Sequence, residues 1–227
     1  MYFRLSGFKD VEWLKRRFDV ENIIQQNIYN QRKNTKILVI DDQQFEIIDL
    51  IKNNGFSVDI LKDISSIEMT EPYHIILCDI KGVGLMLNPE KQGIHLINEI
   101  KKTYPSKIVI AYTAGTESPM QDKLLQPDGF LLKTANLTEW IDLLDLKIKE
   151  VMNPVFSWEK IKLKLVSSSV PPIKIAELED AFVRSIDKND KSILENEAKK
   201  NRKKINVDIG AIIRGLGTAI NIWSGLR

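Results

Sequence analysis

One cysteine, two histidines and no long apolar run set the first limits on this 227-residue chain. The lone Cys78 excludes an internal disulfide and suits a reducing compartment. It lies inside an apolar run, which makes it a small core residue rather than a reactive thiol. His74 opens a strand and His95 lies on a helix, with no second ligand at a suitable spacing. Both are given structural roles, not those of a phosphohistidine or a metal ligand. No stretch of about 18 apolar residues occurs, so no transmembrane helix is expected. The N-terminal residues contain no apolar run of signal-peptide length. There is no helix-turn-helix pattern, zinc cluster, Walker loop or diguanylate-cyclase motif, so no recognised output enzyme is visible.

What is present is an ordinary globular composition, with 43% hydrophobic and 28% charged residues. The net charge of +2 is uneven: residues 1–34 carry +3, residues 35–154 carry −6 and residues 155–227 carry +5. An acidic middle between basic ends points to one compact unit with two appended segments. The basic tail raises nucleic acid or an anionic membrane surface as partners, but +5 over 73 residues is weak support for either.

The acidic middle is organised around Tyr73-His74-Ile75-Ile76-Leu77-Cys78-Asp79. Four apolar residues followed by a carboxylate describe a strand buried on both faces, with Asp79 at its C-terminal end. Lys36-Ile37-Leu38-Val39-Ile40-Asp41-Asp42 has the same form and ends in two carboxylates. Ligands of open parallel sheets sit outside the carboxyl ends of the strands. Side by side, these two strands crowd three negative charges, an arrangement that calls for a divalent cation.

Strand and helix patterns alternate five times between Lys36 and Val151, which predicts α/β architecture with a parallel sheet. Strands are expected at 36–40, 57–60, 74–78, 107–112 and 129–132, and helices at about 43–53, 63–68, 92–103, 117–125 and 137–151. Gly55 and Tyr104-Pro105 end two of the helices, and Asn136 caps the last. Ahead of this block, Asp10 caps a helical pattern carrying Leu14, Phe18, Ile24 and Ile28. After it, Asn153-Pro154 breaks the fifth helix. A short helix at 158–165, a Ser/Pro linker at 167–172 and one or two charged helices over 174–201 follow. Lys199 to Lys204 is read as a solvated face. The final 23 residues place Ile205, Ile209, Ile212, Ile213, Leu216, Ile220 and Trp223 at helical spacing. That face serves as core, partner-docking surface or membrane-surface element, and Gly210, Gly215 and Gly217 permit close backbone approach. The domain reading is 1–34, an N-terminal helical extension, 35–152, the sheet domain, and 153–227, a helical C-terminal region.

Over about 117 of the 227 residues the ordered pattern Asp41-Asp42, Asp79, Thr113 in Ala111-Tyr112-Thr113-Ala114, and Lys133 resembles the receiver domain of two-component response regulators. The resemblance implies a flavodoxin/CheY-like (βα)5 fold with strand order 2-1-3-4-5. It further implies that Asp79 accepts a phosphoryl group from a sensor histidine kinase or phosphotransfer protein. Asp41, Asp42, Asp79 and the Lys81 backbone carbonyl would hold Mg²⁺. Lys133 and Thr113 would contact the phosphoryl oxygens, and Phe130, three residues before Lys133, would be the aromatic of the Thr113 switch. A cytoplasmic signalling protein follows, not an enzyme beyond its own phosphorylation and dephosphorylation, acting on an unidentified output partner and as a homodimer. The alternative is a DNA-binding transcriptional regulator with an atypical basic helical output. A haloacid-dehalogenase phosphatase is excluded because Lys81 stands where a second aspartate is needed. Three departures stand out: 13 residues between Asp79 and Gly93, Thr134 after Lys133 in place of proline, and Lys81 near the phosphoacceptor, where it would alter phosphoaspartate lifetime.

Overall fold

Burial on both faces makes β1 (Lys36–Ile40), β3 (Ile75–Asp79) and β4 (Ile108–Thr113) the inner strands of a parallel sheet. The edges are β2 (Ser57–Leu61) and β5 (Gly129–Leu132), only partly covered. The computed structural model describes residues 7–43, 47–114, 127–201 and 208–226. All neighbouring strands pair in parallel in the order β2-β1-β3-β4-β5. This is the flavodoxin-like order, in which the switch point lies between β1 and β3. Asp41, Asp42 and Asp79 therefore meet at that crevice.

Contacts divide the chain into two units, Ile28–Lys149 and Met1–Asn27 with Glu150–Arg227. The terminal segments, separate in the sequence reading, are thus grouped in one unit. In the sheet unit, α3 (Ile47–Asn53), α4 (Gln92–Thr103) and α5 (Leu137–Met152) accompany the strands. Gly55, at φ +88°, closes α3 with its N–H on the Lys52 carbonyl at 2.9 Å. Asn136 and Glu139 exchange hydrogen bonds of 3.1 and 2.8 Å between side chain and backbone, a reciprocal cap on α5. One layer of core joins Leu38, Ile40, Ile76, Cys78, Val109 and Ala111 of the strands to Leu96, Ile97 and Ile100 of α4. The expected helix at 63–68 is replaced by a loop and a 3₁₀ turn over Ile67–Thr70. Asp63 bonds the Ile64 N–H at 2.8 Å, a local contact that competes with helix formation. The expected helix at 117–125 lies outside the described residues, as do positions 44–46 of the first one.

The helical unit holds α1 (Val11–Arg17), the start of α2 (Val20–Asn34), α6 (Pro154–Ser167), α7 (Pro172–Lys188), α8 (Ser192–Asn201) and α9 (Ile209–Ser224). The single N-terminal helix of the sequence reading is two helices, because Phe18 leaves the helical region with ψ 139°. Asp10 caps α1 as expected, accepting the Trp13 N–H at 2.9 Å. Asn153 caps α6, and Pro154 occupies its first turn, where a missing N–H costs nothing. The α9 face is core: Ile209, Ile212, Leu216, Ile220 and Trp223 are buried, and Trp223 packs edge-on to Phe18 at 5.9 Å. Close approach is not the role of Gly217, whose missing Cβ would meet nothing within 4 Å. Ile205 and residues 203–204 lie outside the described part. No described helix is long and apolar enough to cross a membrane.

Candidate functional site

The ends of β1, β3 and β5 bring together Asp41, Asp42, Asp79 and Lys133. The three carboxylates each offer an oxygen within 4.8 Å of the others. Asp41 and Asp79 are buried, whereas Asp42 is exposed at the mouth. Lys133 bridges the buried pair, with Nζ 2.8 Å from Asp41 Oδ2 and 2.6 Å from Asp79 Oδ2. Burial opposes charge on the Lys133 ammonium, but its hydrogen bonds to Asp41 and Asp79 outweigh that and raise its pKa. One cation against three carboxylates leaves an excess of negative charge, and the donors are all hard oxygens. That set fits Mg²⁺, which takes a few carboxylate oxygens and keeps its waters.

The remaining sequence candidates fall around this centre. Thr113 ends β4, is buried, and accepts the Lys133 N–H on its carbonyl at 2.8 Å, tying the fourth and fifth strand ends together. Phe130 is half-buried against the α4 side of the core and stands in register with Ala111. The Lys81 side chain is exposed, and its N–H donates to Asp79 Oδ1 at 3.2 Å. The peptide bond from Lys133 to Thr134 is trans. His74 has the structural role expected: its Nδ1 accepts the Lys36 N–H at 3.1 Å. Burial, aided by the charges of Lys107 and Lys36, lowers its pKa to about 4. Burial also pushes the Cys78 thiol well up, which removes it from thiolate chemistry.

The long stretch after Asp79 is a fixed loop. Val83 is fully buried. Asp63 accepts the Gly84 N–H at 2.6 Å and the Leu85 N–H at 3.1 Å. Gln92 takes the Gly82 N–H on its Oε1 at 2.9 Å and has a left-handed φ of +48°. Gly82, at φ +80°, leaves room for Asp42, whose carboxylate begins 2.5 Å from where a Cβ would stand. At Gly93 a Cβ would lie 2.0 Å from the Asp79 carbonyl oxygen, so only glycine lets α4 start against the end of β3.

Sequence reasoning missed Asp63, Gln92 and Tyr112. Tyr112 is fully buried and donates its hydroxyl to Asp41 Oδ2 at 3.0 Å. Burial and the neighbouring Asp41 carboxylate push its phenol far up, so it stays a donor. A hydroxyl-bearing aromatic in an otherwise apolar inner strand is the one signal that singles it out beforehand.

No family profile and no curated protein sequence matches the chain. Solved structures do. The N-terminal domain of a response regulator/sensory box/GGDEF three-domain protein from Carboxydothermus hydrogenoformans is 22% identical, with 51% of this chain and 94% of that one covered at a TM-score of 0.42. The receiver domain of NtrX from Brucella abortus is 20% identical over 50% of this chain and 98% of its own, with a TM-score of 0.42. A CheY-like response regulator receiver domain protein from Methanospirillum hungatei is 21% identical over 51% and 94%, with a TM-score of 0.41. The likeness is one of fold. It covers about half of the chain and leaves the rest unmatched.

Proposed function

We propose that the chain is a phosphorylatable receiver, with Asp79 as acceptor of a phosphoryl group from a phosphohistidine on a sensor kinase or phosphotransfer protein. The observation that carries this reading is Lys133 bridging Asp41 and Asp79 while Asp42 stands within reach at the open side. An Asp79 oxygen attacks the phosphorus, an O–P bond forms, and the N–P bond breaks. The imidazole keeps the bonding pair and is protonated from solvent. The transition state is loose, so positioning and charge neutralisation matter more than nucleophile strength. The Lys81 N–H and Lys133 Nζ each hold one Asp79 oxygen and so fix the orientation of the carboxylate before attack. Lys133 then follows the negative charge onto the phosphoryl group, and the Thr113 hydroxyl takes another oxygen. Asp42 and Asp79, with Asp41 and the Lys81 carbonyl, would hold Mg²⁺. When present, that ion supplies neutralisation of the incoming phosphoryl oxygens.

The added charge favours a second arrangement of Thr113 and Phe130, which is the switch. Its output is protein contact, self-association included, in the cytoplasm, with no enzymatic activity beyond turnover of its own phosphoaspartate. Incubation with Mg²⁺ and acetyl phosphate is expected to add one phosphoryl group to the parent and none to Asp79→Asn. Equal modification of both proteins, or of neither, refutes the reading.

A further inference from the structure

We propose that Tyr112 is a positioning residue of the acidic site, holding the Asp41 carboxylate in the orientation a divalent cation requires. This rests on the cation site of the functional reading above and goes beyond it, since Tyr112 has no place among the carboxylates, the lysine or the switch pair.

The sheet order sets the distance that has to be bridged. β1 and β4 flank β3, so the ends of the strands bearing Asp41 and Tyr112 lie two strand spacings apart, about 9–10 Å. A serine or threonine at position 112 is too short to cross that gap. A phenylalanine brings no donor. The Tyr112 side chain spans that distance and delivers its hydroxyl to Asp41 Oδ2 at 3.0 Å. The ring cannot swing away easily, because it is fully buried and set edge-on against Trp140 of α5, with centroids 5.7 Å apart.

Asp41 is itself over-determined. Its Oδ1 accepts the Gln43 N–H at 3.0 Å, and its Oδ2 accepts both Tyr112 and Lys133. The three donors are not equivalent. Lys133 is shared with Asp79 at 2.6 Å, so its ammonium does not serve Asp41 alone. The Gln43 N–H fixes one oxygen only. Tyr112 donates to the second oxygen from a fully buried ring. Without it, Oδ2 keeps only the shared ammonium, and the oxygen Asp41 offers to a cation is held less firmly. Outer partners of metal-binding carboxylates act in this way and typically change affinity by about 10-fold or more.

The test is a calorimetric Mg²⁺ titration of the full chain as parent, Tyr112→Phe, Asp41→Asn and the double variant, each first checked for folding by circular dichroism. Tyr112→Phe is expected to weaken Mg²⁺ by about ten-fold in the parent background and by less than about two-fold in the Asp41→Asn background. A proton NMR spectrum of the metal-free parent should show a slowly exchanging hydroxyl resonance that vanishes in Tyr112→Phe and shifts in Asp41→Asn. Unchanged affinity in Tyr112→Phe, or an equal loss with and without Asp41, overturns the proposal, because packing alone would then explain the effect. Tyr112-dependent Mg²⁺ binding in a parent that never accepts a phosphoryl group sinks the phosphoacceptor reading and leaves this one standing. Phosphoryl acceptance with unchanged affinity in Tyr112→Phe does the reverse. A parent that binds no Mg²⁺ at all overturns both.

Discussion

In the sheet unit the buried polar residues include Asp41, Asp79, Lys107, Thr113 and Arg32, whereas in the helical unit the described buried residues are apolar apart from Ser157, Ser185 and Asn201. The helical unit has no fully buried charged side chain among its described residues, and on its surface Glu12–Lys15 and Glu197–Lys200 pair within single helical turns. Such exposed pairs contribute little, a few tenths of a kcal/mol on the order of the usual surface value. Buried polar groups cost free energy unless each finds a partner, so a fold that retains them at strand ends has a use for them. One unit thus holds the buried charges, and the other holds apolar packing surfaces.

That contrast is open to direct attack, beginning with backbone crowding at the site. Gly93→Ala places a methyl group 2.0 Å from the Asp79 carbonyl oxygen, and backbone cannot yield as a flexible side chain would. A loss on the order of 4 kcal/mol in urea unfolding is expected, with the loss of amide protection concentrated in residues 28–149. A loss under about 1 kcal/mol would show that α4 has freedom to move away from β3.

Next comes Arg32, whose guanidinium bonds Asp145 at 2.8 and 2.5 Å and the Asn54 carbonyl at 3.1 Å, between the Tyr29 and Phe56 rings. Arg32→Met keeps much of the stem but strands the partly buried Asp145, and should cost about 2–3 kcal/mol in the same assay. A pair that served only the surface would show a change near zero.

Acid offers a third way to separate the units. The folded pKa of His74 is lowered to about 4, below its ordinary 6.5. The unfolded chain therefore takes up that proton first, and stability present above pH 6.5 is lost as pH falls towards 4. The expected loss is roughly 3 kcal/mol. His74→Gln, which keeps an acceptor for the Lys36 N–H, should flatten that part of the pH profile. An unchanged profile would remove His74 as its source.

The smallest effect has the opposite sign. Gly217 lies within α9, and an added methyl group would meet nothing within 4 Å. Gly217→Ala should stabilise the helical unit by about 1 kcal/mol through helix propensity alone. Destabilisation would mean that α9 needs the flexibility of glycine there, and that the helical unit is more than packing.

Several features of the fold are readable along the chain because they depend on neighbours in sequence. Two buried runs ending in Asp41-Asp42 and Asp79 announce inner parallel strands, and the Asn136/Glu139 and Asp10 caps announce helix starts. The failures share a cause. Asp63 sits in a stretch with helical periodicity, but its carboxylate turns to amides 21 and 22 residues away, at Gly84 and Leu85. Phe18 carries the right spacing to continue a helix but ends one and packs on Trp223. Periodicity reports what a residue can bury, not which distant group claims it.

The sequence by itself determined the alternation of strands and helices, the acidic strand ends and the lysine that completes them, because these follow from local pattern and from which residue closes each strand. Only the tertiary structure decided that Tyr112 reaches Asp41 across β3, that Asp63 and Gln92 fix the loop after Asp79, and that the apolar face of α9 is core. Those outcomes depend on which strands become neighbours and how far a side chain extends between them, and spacing along one chain does not encode distance across a sheet.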